Sequence, residues 1–278
     1  MTQPLRVFMS ASMTQPVSGI SILGMVFTLL ISIGLPIALM VIARKKMKSD
    51  RLPVLIGAGT FVFFALILEK MVFNSIVVAV VGAEKLTSNI WIYAIFGGLE
   101  AAVFEELGRF VSMKLLMKKS LNKQNAFMFG VGHGGIEAVI VVGFSMISNI
   151  IVSIMINSGT YDATLSLLDP MTRATTLQQV SVLWLSEPWI FFIGGVERIA
   201  AIAFHISASY LVYRSVKDRK PLLLCAAIAL HFLLDAGTVV INRLTGIVLT
   251  ECFIWALSVA FAIVVFRAYK NETASSAE

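Results

Sequence analysis

Glu100, Glu105, Glu106, Arg109 and the three histidines, His133, His205 and His231, are the residues whose types and spacing can do chemistry, because all of them fall inside apolar stretches. A charged side chain at the centre of a bilayer costs about 2.5–3.5 kcal/mol on insertion scales, so the run from Leu99 to Arg109 demands on the order of 10 kcal/mol of compensation from a polar interior. Arg109 follows Glu105 by four residues and Glu106 by three, which puts it on their side of a helix, able to balance one negative charge. A second carboxylate so close favours sharing a proton with the first, and such a pair can take a proton from water. His133 and Glu137 are four apart, as are His231 and Asp235, so each imidazole shares a helix face with a carboxylate that can fix its tautomer or simply satisfy a buried polar group.

Two chemistries fit these residue types. Glu105 or Glu106 can act as general base on a water while His133 and His231 steady an oxyanion and protonate a leaving amine. Alternatively, His133, His205 and His231 hold a metal ion, zinc above all, and the glutamate acts on the metal-bound water. The His-Glu-x-x-His pattern of zincins is absent, so spacing alone leaves metal-free and metal-dependent chemistry both open.

The elements that must position these groups are membrane helices. The 278 residues are 58% hydrophobic and 14% charged with a mean hydropathy of +0.89, and apolar runs of this length and continuity form spanning helices rather than barrel strands. The net charge of +6 resides in short Lys/Arg clusters beside apolar runs, which reads as positive-inside topology and contact with anionic lipid, not as nucleic-acid binding. Cys225 and Cys252 sit in apolar runs without metal-type spacing and read as small buried hydrophobes.

Taken in order, Met1-Thr-Gln-Pro4 recurs as Met13-Thr-Gln-Pro16, so translation starts at Met1 or Met13, and residues 1–16 form a tail. Seven spans are expected: 17–43 with Pro36 as a kink, 52–82 tilted or broken around Glu69 and Lys70, 91–117, 126–157, 188–213, 221–241 and 247–269. Basic clusters alternate with these spans so as to place the N-terminus outside and the tail 270–278 in the cytoplasm of a multi-pass protein of the bacterial plasma membrane. Residues 83–89 read as a short outer loop and 158–187 as an outer interfacial helix. The expected fold is therefore an all-α polytopic helical bundle, residues 17–269 forming a single transmembrane domain whose motif-bearing core is 91–241.

At 1.5 Å per residue, Glu105, His133, His205 and His231 lie about 10–15 Å from the inner helix ends, so four helices offer polar groups to one layer. In the segment Phe129-Gly-Val-Gly-His-Gly-Gly-Ile-Glu137, Gly130, Gly132, Gly134 and Gly135 serve either close helix packing or close backbone approach to a substrate.

Glu105-Glu106-Leu-Gly-Arg109, Phe129-x-x-x-His133 and His231-x-x-x-Asp235, in this order on membrane helices, resemble the motifs of the glutamic intramembrane proteases of the CAAX prenyl protease and bacteriocin-processing group. The Glu-Glu-to-Arg spacing is one residue shorter than the CAAX form and is similar to that of the PrsW-like relatives. The Gly-rich His133 segment and the stretch from Glu197-Arg198 to His205 resemble the YhfC-type intramembrane metalloproteases. The resemblance implies that Glu105 and Glu106 activate water, that His133 and His231 assist, and that Asp235 supports His231. Arg109 is expected to balance the glutamates, with Glu137, Glu197 and Arg198 around them. The expected function is endoproteolysis of a membrane-associated protein or peptide. A transporter with a Glu/His/Asp proton or metal relay, or a non-catalytic binding or immunity protein of the same fold, would use the same buried groups.

Overall fold

The apolar runs fold as long helices in the computed structural model, which describes residues 14–274. The start of the expected N-terminal tail, with Met1 and Met13, and the last residues of the expected C-terminal tail lie outside the described residues. No strand occurs among the described residues. The long helices are α1 (Gly19–Lys46), α2 (Leu52–Val81), α3 (Ile90–Leu115), α4 (Lys123–Asn157), α5 (Trp189–Asp218), α6 (Pro221–Thr245) and α7 (Ile247–Ala274). Among the described residues, six of these helices are long and apolar enough to cross a membrane. The remaining one, α3, has 26 residues but carries Glu100, Glu105, Glu106 and Arg109, all buried.

Helix ends follow local chemistry. The Asn89 side chain accepts hydrogen bonds from the backbone N–H groups of Trp91 and Ile92 at the start of α3, and Asn122 does the same for Asn125 at the start of α4. Residues 83–89, expected as a loop, contain a short helix, Ala83–Thr87, reached through Gly82 at φ 94°, a backbone conformation glycine adopts without strain. The expected interfacial helix over 158–187 is three short helices, Thr160–Ser166, Pro170–Val180 and Val182–Leu185. Asp169 caps the second of these through Met171 and Thr172, and Pro170, which lacks an N–H, starts it. Two segments widen into π-helix: Phe61–Phe73 within α2, which contains Glu69, and Ala138–Gly143 within α4. Such widened turns are rare and concentrate at functional places.

Two compact units result. The first comprises residues up to Ile33 together with Val139–Val196. Its core gathers Val17, Met25, Ile156, Leu183 and Phe191, and the Asn157 side chain holds the backbone of Val17 through both its N–H and its carbonyl. The second unit, Gly34–Ala138 with Glu197–Glu278, contains every expected site residue. Its core includes Met113, Phe129, Phe204, Tyr213, Ala227 and Phe261. In it α3 packs along α6, and α2 along α4.

The second of these pairings explains the glycines of α4. A Cβ on Gly132 would stand 2.0 Å from the carbonyl oxygen of Val54, and one on Gly57 of α2 would stand 2.1 Å from that of Phe129. Only hydrogen fits at either place, so of the two expectations for this segment the structure shows close helix packing. Outward faces carry large apolar side chains, such as Leu55, Leu222 and Val264, whereas Glu69, Glu100, Glu105, Glu106, Arg109 and the three histidines are buried. That distribution suits a lipid solvent.

Candidate active site

Along α3, Glu105, Glu106 and Arg109 fall on the buried face because the i, i+3 and i, i+4 spacings bring them together. Arg109 is wholly buried and donates from Nη1 to Glu106 Oε1 at 2.8 Å and from Nη2 to Glu105 Oε2 at 3.1 Å. The same Nη2 stands 2.7 Å from His205 Nδ1. A guanidinium can only donate, so His205 Nδ1 accepts this bond and its proton resides on Nε2. That nitrogen lies 2.5 Å from Glu137 Oε2.

The other two imidazoles each take one glutamate. His133 Nε2 is 2.9 Å from Glu105 Oε2, and His231 Nδ1 is 2.9 Å from Glu106 Oε1. His231 Nε2 faces Asp235 Oδ2 at 3.5 Å, the partnership that the four-residue spacing suggested. His133 does not meet Glu137, although the two share a face of α4. Glu137 instead reaches α5, where Arg198 donates from Nη1 to its Oε1 at 3.1 Å and from Nη2 to Glu197. A buried carboxylate gains more from a guanidinium than from a neutral imidazole, which accounts for the change of partner.

The three imidazole rings form a row, with centroids 5.5 Å apart for His133 and His205 and 5.7 Å for His205 and His231. Aromatic rings wall it: Phe129 stacks on His133, Phe61 meets His133 edge-on, and Phe204 sets its edge against both His205 and His231. Sequence reasoning missed Phe61 and Phe204; nothing in their apolar surroundings distinguishes them from core residues. It also missed Glu251, which acts electrostatically on Glu197 and Arg198, and whose one signal is a lone carboxylate in the first turns of an apolar helix.

A cavity of about 150 Å³ opens beside this network. Glu105, Glu137, Glu197, His205, His231 and Asp235 line it, whereas Glu106 and His133 do not. Of the glutamate pair, then, Glu105 is the one that meets the cavity.

Glu105, His133 and His205 also bring one ligand atom each to within 4.8 Å of one another. Two imidazoles and a carboxylate are the donor set of many hydrolytic zinc sites, which keep a further position for water. Charge supports the same fit: the network holds the carboxylates of Glu105, Glu106, Glu137, Glu197 and Asp235 against the guanidiniums of Arg109 and Arg198. An excess of buried negative charge calls for protons on the imidazoles or for a cation. Of the three histidines expected as ligands, His133 and His205 belong to this group together with Glu105, while His231 stands outside it with its ring nitrogens facing Glu106 and Asp235.

Apolar faces outward and an acid–imidazole network within define a polytopic helical membrane protein with a buried polar centre. The chain belongs to the YhfC intramembrane metalloprotease family, whose sequence profile matches residues 30–270. It is 35% identical over 242 residues to the uncharacterized membrane protein YhfC of Bacillus subtilis (strain 168), a similarity that covers 85% of this chain and 93% of that protein. No solved structure matches it. The family match extends well beyond residues 91–241, where the motifs lie.

Proposed function

We propose that this protein is an intramembrane endopeptidase that hydrolyses a peptide bond of a membrane-associated protein or peptide in the cavity beside Glu105. The observation that carries this reading is the meeting of Glu105, Glu137, His205 and His231 on one small cavity backed by buried Arg109. Peptide hydrolysis needs a proton acceptor for a water, a donor to the oxyanion and an acid for the leaving amine, and these groups supply all three.

Glu105, His133 and His205 would hold a divalent metal ion, zinc by donor type, once Arg109 Nη2 gives up the bonds to His205 Nδ1 and Glu105 Oε2 that it makes in this structure. Such an ion, when bound, makes water more acidic and polarises a carbonyl. Glu137 stands across His205 from Glu105 and takes the proton of the attacking water. His231 lines the cavity, and its Nε2–H donates to the oxyanion and then to the leaving nitrogen. Glu106, away from the cavity, orients His231 through Nδ1 and shares the charge of Arg109. Asp235 Oδ2, 3.5 Å from the same His231 Nε2, steadies the ring on the side that faces the cavity. In this reading residues 17–269 act as one seven-helix transmembrane domain, α3 included, with the N-terminus outside.

Purified protein and its Glu105→Ala, Glu106→Ala and His133→Ala variants, given a fluorogenic membrane-peptide library with and without chelator, test the proposal. Cleavage by the wild type, lost in the variants and on chelation, is expected. A wild type that cleaves nothing but carries an ion or solute across proteoliposomes would make the buried groups a transport relay instead.

A further inference from the structure

A second cavity, of about 430 Å³, lies on the other side of Asp235, bounded by α2, the short helix Ala83–Thr87, α3 and α6. Its polar wall consists of Lys70, Asn74, Thr87, Tyr93, Glu100 and Asp235, and the rest is apolar, with Leu86, Phe96 and Val239. Asp235 borders both cavities. The charge balance here is unequal. Lys70 Nζ is 2.6 Å from Glu69 and 3.0 Å from Glu100 Oε1, so one ammonium serves two buried carboxylates. Asn74 Nδ2 donates to the same Glu100 oxygen at 3.2 Å. Glu100 is only 6% exposed, and its second oxygen, Oε2, is buried without a hydrogen-bond partner. A buried carboxylate oxygen left unmet in a cavity wall is a strong acceptor for an incoming donor.

We propose that this second cavity is a subsite for an ammonium-bearing group of the substrate, a lysine side chain or a free amino terminus; the inference rests on the peptidase reading. Apolar walls with an acidic end suit an alkyl stem that carries a cation. Glu100 precedes Glu105 by five residues, about 7.5 Å along the helix, the reach of roughly two extended residues or of one lysine side chain. A basic group held at Glu100 therefore leaves the neighbouring peptide bond beside Asp235 and the catalytic cavity.

The test uses full-length protein in detergent with Cys225 and Cys252 replaced by serine and Gly97→Cys introduced. Gly97 lines the cavity, and a Cβ there meets nothing within 4 Å. Labelling rates are compared for a trimethylammonium and a sulfonate methanethiosulfonate, each relative to its rate with a free thiol in solution. The cation-to-anion ratio is expected to rise about tenfold above that of the free thiol, to fall in Glu100→Gln and to rise further in Asn74→Asp. A transmembrane peptide with one lysine should slow labelling more than its norleucine counterpart. Absence of labelling, or a ratio equal to that of the free thiol and indifferent to both variants, overturns the subsite. If the library is cleaved while the ratio stays at one, the subsite falls and the peptidase stands. A raised ratio and lysine protection without cleavage by the wild type uphold the cavity's selectivity and count against the peptidase.

Discussion

Two places in the second unit contain the same elementary set, two carboxylates and one cation, yet they are built differently. At the first, Glu105 and Glu106 share Arg109, which is fully buried and fixed by its planar fork. At the second, Glu69 and Glu100 share Lys70, whose side chain is 51% exposed. The first set is wired to three imidazoles, while the second has one amide, Asn74; each leaves a buried glutamate oxygen unmet, Glu106 Oε2 in the first and Glu100 Oε2 in the second. Imidazoles beside carboxylates can exchange protons, whereas the second set has no imidazole, and its unmet oxygen belongs to Glu100, which lines a cavity, rather than to a glutamate away from one. The comparison teaches that buried charge alone does not locate catalysis; the neighbours of the charge do.

The comparison breaks most visibly in catalysis. Glu137→Gln, which removes the proposed proton acceptor, and Glu105→Gln, which weakens the proposed metal site, should each lower kcat by about 10²–10⁴-fold, while Glu100→Gln should raise KM for lysine-bearing peptides and leave kcat near the wild-type value. Steady-state rates on one cleavable peptide check this, and equal losses of kcat in all three variants would erase the distinction. Stability comes next. Arg109→Met strands two buried carboxylates and should cost about 3–5 kcal/mol, read as a large fall in the thermal-unfolding midpoint in detergent. Lys70→Met should cost less, because the Lys70 side chain is half exposed whereas Arg109 is fully buried. Gly132→Ala drives a methyl into the Val54 carbonyl and should destabilise by about 1–3 kcal/mol through separation of α2 from α4. The smallest effect belongs to Tyr213→Phe, which removes the 2.6 Å hydrogen bond to Glu272 and should cost about 0.5–1.5 kcal/mol with activity unchanged.

How much of this was legible in the sequence depends on how local each feature is. The Glu105, Glu106 and Arg109 contacts follow from helical periodicity and could be read directly. So could the His231–Asp235 pair. The partners of His205 and Glu137 could not, because they lie on other helices and were settled by the approach of α5 to α3 and α4. The same limit applies to the second cavity: Glu69 and Lys70 were visible as adjacent charges, but their link to Glu100 spans 30 residues. Helix α3 is the element where hydropathy and burial part. Its charges remove it from the helices that qualify by apolarity, yet those charges are buried against neighbouring helices. Breaks such as Asp169-Pro170 were readable as turn chemistry, although the apolar content around them suggested one continuous interfacial helix.

Elemental analysis of the purified protein, in the wild type and three single-histidine variants, addresses the centre most directly. The proposed mechanism predicts a stoichiometric divalent metal in the wild type, lost in His133→Ala and His205→Ala and retained in His231→Ala, because it assigns that imidazole to catalysis rather than to coordination. A catalytically active wild type free of metal, or a loss in His231→Ala equal to that in the other two, would contradict it.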